Sequence, residues 1–271
     1  MSILILHFLF LILYSYKLLM KILFRVYQWL VAAPIILVLT IVIALLTIFG
    51  SFVNSNWWGF YPPQFWARCW CWLFFVKVEV VNSELIDEKQ SYVFIANHQG
   101  VFDIFSVYGY LKHNFKWMMR KGLNNIPLIG LACNAAGHIM VDNSTPTAIK
   151  KTMAVAKKKL SNGMSLFIFP EGRRTYTGKM GPFKHGAFKL ALDFNLPIVP
   201  ITISGSYDVM PRTTFNIKPG KITITLHEPI YPTECGHDFG QVIGDGYRII
   251  QKDLPQNLQN SDKQIQTIFS K

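Results

Sequence analysis

Tyr92-Val93-Phe94-Ile95-Ala96-Asn97-His98-Gln99-Gly100-Val101-Phe102-Asp103 decides how the rest of this chain is read. Its apolar beginning, 92–96, has the length and composition of a buried strand and stops at polar residues and a glycine. A histidine and an acid then follow, five positions apart. In a helix that spacing rotates by about 140°, and in a strand it points the two side chains to opposite faces. They can meet only if the backbone changes type between them, with His98 in a turn and Asp103 in the first turn of the next helix. The helix dipole favours an acid there, and such an acid can hold the imidazole in one tautomer. A histidine held that way is a general base for a hydroxyl. The same residues also suit an ordinary strand-to-helix loop with a polar histidine and a capping aspartate. Taken alone, they leave both readings open.

To either side of this stretch, short β-rich runs alternate with helical ones. Strands are expected at 76–81, 92–96, 116–119, 138–141, 166–169, 198–204 and 222–226, and helices at 103–111, 145–160 and 183–194. The alternation predicts an α/β domain with a central mixed sheet covered by helices on both faces. Within 147–159, Lys150, Lys151, Lys157, Lys158 and Lys159 oppose Ile149, Met153 and Val155, a solvated basic face over an apolar one. The segment 254–271 is rich in Gln and Asn and reads as a polar helix or a frayed tail. The composition divides the chain into an apolar anchor, 1–75, and a catalytic domain, 76–271.

The 271 residues carry a net charge of +12, yet no acid precedes Glu79. Residues 29–53 hold no charge, and about 20 apolar residues suffice to cross a bilayer core. An earlier apolar run, 3–14, is followed rather than preceded by Lys17, Lys21 and Arg25, which argues against a secretory signal. Next come Trp57, Trp58, Tyr61, Trp66, Trp70 and Trp72, an aromatic segment suited to the headgroup level or to a soluble aromatic core. A hairpin dipping into one leaflet would keep all the basic residues on one side, and it is the arrangement expected here. The positive surplus suits nucleic acid, or an anionic membrane with phosphorylated substrates. Nucleic-acid motifs are lacking and an apolar segment is present, so the second class is favoured. Cys69, Cys71, Cys133 and Cys235 show no Cys-x-x-Cys spacing and read as free thiols in a reducing compartment, which places the catalytic domain on the cytoplasmic face. The histidines are scattered without ligand spacing, so no metal site is expected.

Other loops add to the opening stretch. The strand at 166–169 runs into Pro170-Glu171-Gly172-Arg173-Arg174-Thr175, where proline ends the ladder, glycine permits a tight turn, and an acid and two arginines are displayed. Strand ends are where α/β folds place ligands, and arginine forks match phosphate oxygens. Pro182-Phe183-Lys184-His185-Gly186 then opens a helix with a basic pair, which the dipole disfavours unless an anion shares that end. Pro200 interrupts the apolar strand at 198–204, as at an edge, a bulge or a pocket wall.

In this order the blocks resemble the glycerolipid acyltransferase family, and within it the enzymes that acylate lysophosphatidate. Asn97-His98-x4-Asp103 matches the family's His-x4-Asp motif, Phe169-Pro170-Glu171-Gly172-x-Arg174 its Phe-Pro-Glu-Gly-Thr-Arg element, Phe183-Lys184-x-Gly186 the segment after it, and Val199-Pro200 its last block. Lys121 through Pro127, Gly130, and Gly137 to Asp142 fit the block between. Two departures stand out: Arg173 occupies the usual Thr position, and Asn143 follows Asp142 where Arg is usual. They bear on the acceptor headgroup more than on the reaction.

The resemblance implies transfer of an acyl group from acyl-CoA or acyl carrier protein, a donor substrate and not a cofactor, to the free hydroxyl of lysophosphatidate. The product would be phosphatidate, for phospholipid biosynthesis at a membrane. It implies His98 as base and Asp103 as its orienting acid. Arg174 would bind the acceptor phosphate with Glu171 and Gly172 shaping the loop, and Arg173, Lys121 and Lys184 would contact phosphate or coenzyme A. Membrane lipids are the other expected partner. Alternatives are acylation of another lyso-lipid or of glycerol-3-phosphate, thioester hydrolysis, and non-catalytic lipid binding.

Overall fold

A computed structural model describes residues 2–142, 144–161, 163–232 and 238–269. Asn143, Cys235 and His237, which enter the sequence reading, lie outside the described residues. The chain runs through α1 (Ser2–Tyr27), a π turn (Gln28–Ala32), α2 (Ala33–Trp58), α3 (Tyr61–Leu73), β1 (Val76–Val81), β2 (Val93–Ala96), α4 (Phe102–Tyr110), β3 (Phe115–Arg120) and α5 (Ile129–Ala135). There follow β4 (Ile139–Val141), α6 (Pro146–Ser161), β5 (Ser165–Ile168), α7 (Gly186–Asp193), β6 (Ile198–Ser204), α8 (Ser206–Val209), β7 (Gly220–Leu226), α9 (Phe239–Lys252) and α10 (Asp262–Phe269).

The expected hairpin is absent. Tyr27 and Ala33 on either side of the π turn keep right-handed helical dihedrals, so α1 continues into α2 without reversing. Pro34 explains the wide turn. A proline lacks the N–H and crowds the carbonyl one turn back, and a π turn absorbs that misfit while the helix runs on. The resulting apolar segment, residues 5–58, is helical apart from a kink at Asn54 (φ −152°, ψ 96°) and is long enough to cross a membrane. Its two halves differ. Residues 5–23 are exposed throughout, with Lys17, Lys21 and Arg25 at i, i+4 and i+8 on one stripe. In α2, Ile36, Ile43, Ala44 and Thr47 are buried against the protein, as is Ala32 of the π turn. Tyr27 OH donates to Leu73 O at 3.0 Å and Trp66 Nε1–H donates to Thr40 Oγ1 at 2.8 Å, fixing the end of α1 and the first half of α2 to α3.

The aromatic segment is core on one face of α3 and exposed on the other. Ala67 and Cys71 are buried and Trp70 stacks on Phe105 of α4 at 4.4 Å, whereas Tyr61, Phe65 and Trp72 are exposed.

All seven expected strands form, in the order β1-β7-β6-β2-β5-β3-β4. Neighbours are parallel except β6 and β7, which are antiparallel, so the sheet is mixed as expected. The strand alternation assigns side chains to opposite faces. Phe94, Ala96, Phe167, Val199 and Ile201 point into one cluster with Phe74, Phe102, Phe105 and Trp117, under α3 and α4. Val93, Ile95, Ile168 and Ile198 point the other way, against Phe188 of α7 and Val242, Tyr247 and Ile250 of α9. Leu166 and Ile139 meet Ala156 and Leu160 of α6. Phe94, Phe102, Phe115 and Phe167 are each 0% exposed, and full burial of such a side chain stabilises by about 1.5–3 kcal/mol.

Candidate active site

The connection from β2 leads to β3, beyond β5, while that from β5 leads to β6, beyond β2. The two connections leave in opposite directions, which makes the carboxyl ends of β2 and β5 a topological switch point, where open α/β sheets bind ligands. His98 lies just past β2 and Glu171 just past β5.

The backbone change expected between His98 and Asp103 is present. Residues 97–101 form the loop, and Asp103 sits in the first turn of α4, fully buried. His98 Nδ1 and Asp103 Oδ2 are 2.8 Å apart. The same oxygen accepts the backbone N–H of Gln99 at 2.7 Å and of Gly100 at 2.8 Å. An oxygen that accepts from two amides and the ring fixes the proton on Nδ1 and leaves Nε2 as the basic nitrogen. The ring stacks on Phe169 at 4.0 Å and 10°, and the His98 side chain keeps 12% of its surface exposed.

Three further ties hold the loop. The buried amide of Asn97 behaves as an extra rung of the sheet: Nδ2–H donates to Ile203 O at 2.9 Å and Oδ1 accepts from Ile203 N at 2.8 Å. Glu171 Oε1 accepts the backbone N–H of His98 and Oε2 that of Gly181, both at 2.8 Å. Thr175 N–H donates to His98 O at 3.0 Å. Burial pushes the Glu171 carboxyl up to about 8; the Gly181 and His98 amides oppose that, and the Asp103 charge adds to it. The turn ahead of it closes with Gly172 N–H on Phe169 O at 2.9 Å, and Gly172 has φ +70°, a conformation glycine adopts without strain.

The expected site residues do not all gather here. His98, Asp103, Glu171 and Gly172 do, and a Cβ on Gly172 would come 2.8 Å from Lys184 Nζ, so that ammonium lies over the turn. Lys184 itself precedes α7, which starts three residues later than the expected 183. Arg174 is half-buried beside them, and Arg173 is exposed. Lys121 lies past β3, two strands from His98, and its ammonium ion-pairs with Asp142 at 2.8 Å. Sequence reasoning had no role for Phe169, for the Asn97 amide or for the Gln99, Gly100 and Gly181 amides. Backbone donors carry no compositional signal, while Phe169 and Asn97 stood inside quoted motifs.

Comparison with known proteins agrees with this geometry. An acyltransferase family profile matches residues 77–204, from β1 to the end of β6. A 1-acyl-sn-glycerol-3-phosphate acyltransferase of Limnanthes alba is 32% identical over 193 residues, covering 71% of this chain and 67% of that one. A chloroplastic one from Brassica napus is 32% identical over 167 residues, 59% of this chain, and the match spans about half, 47%, of its length. One from Chlamydomonas reinhardtii is 27% identical over 249 residues, 89% of this chain and 71% of that one. The crystal structure of a 1-acyl-sn-glycerophosphate acyltransferase from Thermotoga maritima shares the fold, with a TM-score of 0.72 at 21% identity over 86% of this chain and 94% of that one. The oriented histidine at the switch point and relatives at this identity lead to one conclusion: the chain belongs to the acyltransferase family that includes the 1-acyl-sn-glycerol-3-phosphate acyltransferases.

Proposed function

We propose that this acyltransferase moves a fatty acyl group from a thioester, acyl-CoA or acyl carrier protein, to the free hydroxyl of lysophosphatidate, giving phosphatidate. The observation that carries the reading is the His98–Asp103 pair at 2.8 Å, with Nε2 left for a substrate proton. His98 Nε2 takes the proton of the acceptor hydroxyl as that oxygen attacks the thioester carbonyl carbon. The carbon–sulfur bond breaks as the new ester forms, and the imidazolium returns the proton to the departing thiolate. Asp103 orients the ring and offsets its transient positive charge. The acceptor oxygen is itself the nucleophile, so the protein supplies none. Arg174 and Lys184, beside the turn at Gly172, supply positive charge for the acceptor phosphate. The long apolar helix suits an acceptor and a product that both carry acyl chains, and the domain is assigned to the cytoplasmic face.

The test uses the full-length protein in detergent, with acyl-CoA and acyl carrier protein donors. Acceptors are lysophosphatidate, glycerol-3-phosphate, lysophosphatidylglycerol and none. Phosphatidate should form from lysophosphatidate, and the His98→Ala variant should lose about 10²–10⁴-fold in rate. Release of free fatty acid without an acceptor, or turnover only on another acceptor, would overturn the assignment.

A further inference from the structure

The loop after β6 reaches the catalytic loop and brings a second arginine with it. Gly100 bridges Pro211 in antiparallel fashion, and a Cβ on Gly100 would come 2.8 Å from Ser206 O and 3.0 Å from Met210 O. The adjacent Arg212 donates from Nη1 to Arg174 O at 2.7 Å, and its guanidinium lies 4.1 Å over the Tyr176 ring. Tyr207 OH donates to Tyr176 O at 2.9 Å, a second tie between the two loops. Arg212 is therefore held in place by the segment that carries Arg174.

Neither arginine has a carboxylate within ion-pair distance among the described residues. Asp103, whose charge acts on Arg174, is committed to His98 and two amides. Burial, and after it the charge of Arg212, push the Arg174 guanidinium below its usual value, and Asp103 draws it back. Arg212 thus lies against the backbone of Arg174 beside the catalytic loop, close enough for its charge to act on the Arg174 guanidinium, and among the described residues no carboxylate pairs with either. Two fixed like charges side by side are unfavourable unless an anion joins them. A phosphomonoester carries about −1.5 to −2 at neutral pH, whereas a phosphodiester headgroup carries a single phosphate charge.

We propose that Arg212 is an acceptor-specificity residue: with Arg174 it clamps a phosphomonoester dianion and so favours lysophosphatidate over lyso-lipids whose phosphate is a diester. The proposal rests on the lysophosphatidate reading. Arg212 lies outside the segment 77–204 that the family profile matches.

The test compares full-length wild type with Arg212→Gln and Arg212→Lys, using one acyl donor and two acceptors, lysophosphatidate and lysophosphatidylglycerol. Binding of glycerol 3-phosphate, followed by thermal shift, gives a readout independent of turnover. In Arg212→Gln the KM for lysophosphatidate should rise about tenfold or more, the loss of a charge-assisted arginine–phosphate contact. The kcat should stay within about threefold, and the preference for the monoester acceptor should fall by the same factor as KM rises. Arg212→Lys, which keeps the charge but not the fork, should recover part of both. An unchanged KM, or an equal loss on both acceptors, would overturn the proposal, the second outcome marking Arg212 as a scaffold for the loop. Failure of the wild type to acylate lysophosphatidate would remove the acylation reading instead. Glycerol 3-phosphate affinity would then decide the clamp: it fails if Arg212→Gln binds as tightly as wild type.

Discussion

Asp103→Asn separates the charge of the orienting acid from its geometry. In many His–acid pairs the amide can turn its NH2 toward the ring and force the wrong tautomer. Here the Gln99 and Gly100 amides both point at Oδ2, at 2.7 and 2.8 Å, so the amide oxygen must take that position. The NH2 then falls where Oδ1 now lies, an atom with no hydrogen-bond partner, and displaces nothing. The ring keeps an acceptor for Nδ1–H; what disappears is the negative charge facing the imidazolium in the transition state. With charge centres about 4 Å apart and an effective dielectric near 20, that attraction is about 4 kcal/mol. Allowing for the neutral hydrogen bond that remains, kcat should fall about 30–1000-fold. The buried NH2 lacks an acceptor and should cost about 1–3 kcal/mol of stability, a drop in Tm of up to about 10 °C. Asp103→Ala is a poorer probe, because it also strips two buried amides of their acceptor. Thiol release at saturating donor and acceptor, beside thermal melting, measures both quantities. A folded Asp103→Asn variant with kcat within about fivefold of wild type would refute the reasoning.

Other substitutions test other parts of the fold. In Gly100→Ala the new Cβ would lie 2.5 Å from Ser206 Oγ and 2.8 Å from Ser206 O, so the loop after β6 must move; we expect a loss of about 1–3 kcal/mol by chemical denaturation, and an unchanged midpoint would contradict the close approach. In Glu171→Gln one end of the amide must face a backbone N–H that now has an acceptor, costing about 1–3 kcal/mol. The Glu171 carboxyl, ordinarily at 4.5, is pushed up to about 8 by burial, so the folded state binds the extra proton in that window and stability should fall as pH rises through it. That fall should be missing from stability–pH curves of the glutamine variant. Lys116 is 1% exposed with no partner for Nζ, and burial, then Lys159, lower it from 10.5 to about 8. The unfolded state binds the proton between those values, so wild-type stability should rise with pH across them. Lys116→Met should therefore gain up to about 3 kcal/mol near neutral pH, and no rise in Tm would count against the burial of the ammonium.

The strands were legible because each is a short apolar run bounded by turn residues, and the buried faces enforce the alternation. The mixed order β1-β7-β6-β2-β5-β3-β4 was not, since pairing partners leave no trace in local composition. His98, Asp103, Glu171 and Gly172 were legible because they stand in the motifs that carry the family resemblance. Lys121 was included on block order alone, and the structure gives its ammonium to Asp142. Arg212 escaped notice because it lies 38 positions from the arginine it touches, past a strand, in a loop without a local pattern. Hydropathy located the N-terminal helix but could not give its direction. Only the π turn ahead of Pro34 shows that the helix continues.

The placement of the ties divides the site into a fixed part and an adjustable one. Three connections hold the catalytic loop before any substrate arrives: Asn97 to β6, the His98 amide to Glu171 beyond β5, and Gly100 against the loop after β6. Two of these use side-chain groups that are fully or almost fully buried, and Phe169 flanks the imidazole. A base built this way needs no reorganisation when the thioester arrives, which is the condition under which preorganised charge contributes most to rate. The cations around it are different. Arg173 and Lys184 are long and exposed, and Arg212 is held to the Arg174 backbone by one hydrogen bond and to Tyr176 by one ring contact. On the proposed reading, side-chain substitutions at these cations alter which headgroup is gripped, while the backbone ties from Thr175 to His98 and from Pro211 to Gly100 stay in place. On the proposed reading, the thioester chemistry depends on residues 97–103 and Glu171, and the choice of acceptor on the cations of two loops, 172–176 and 210–212.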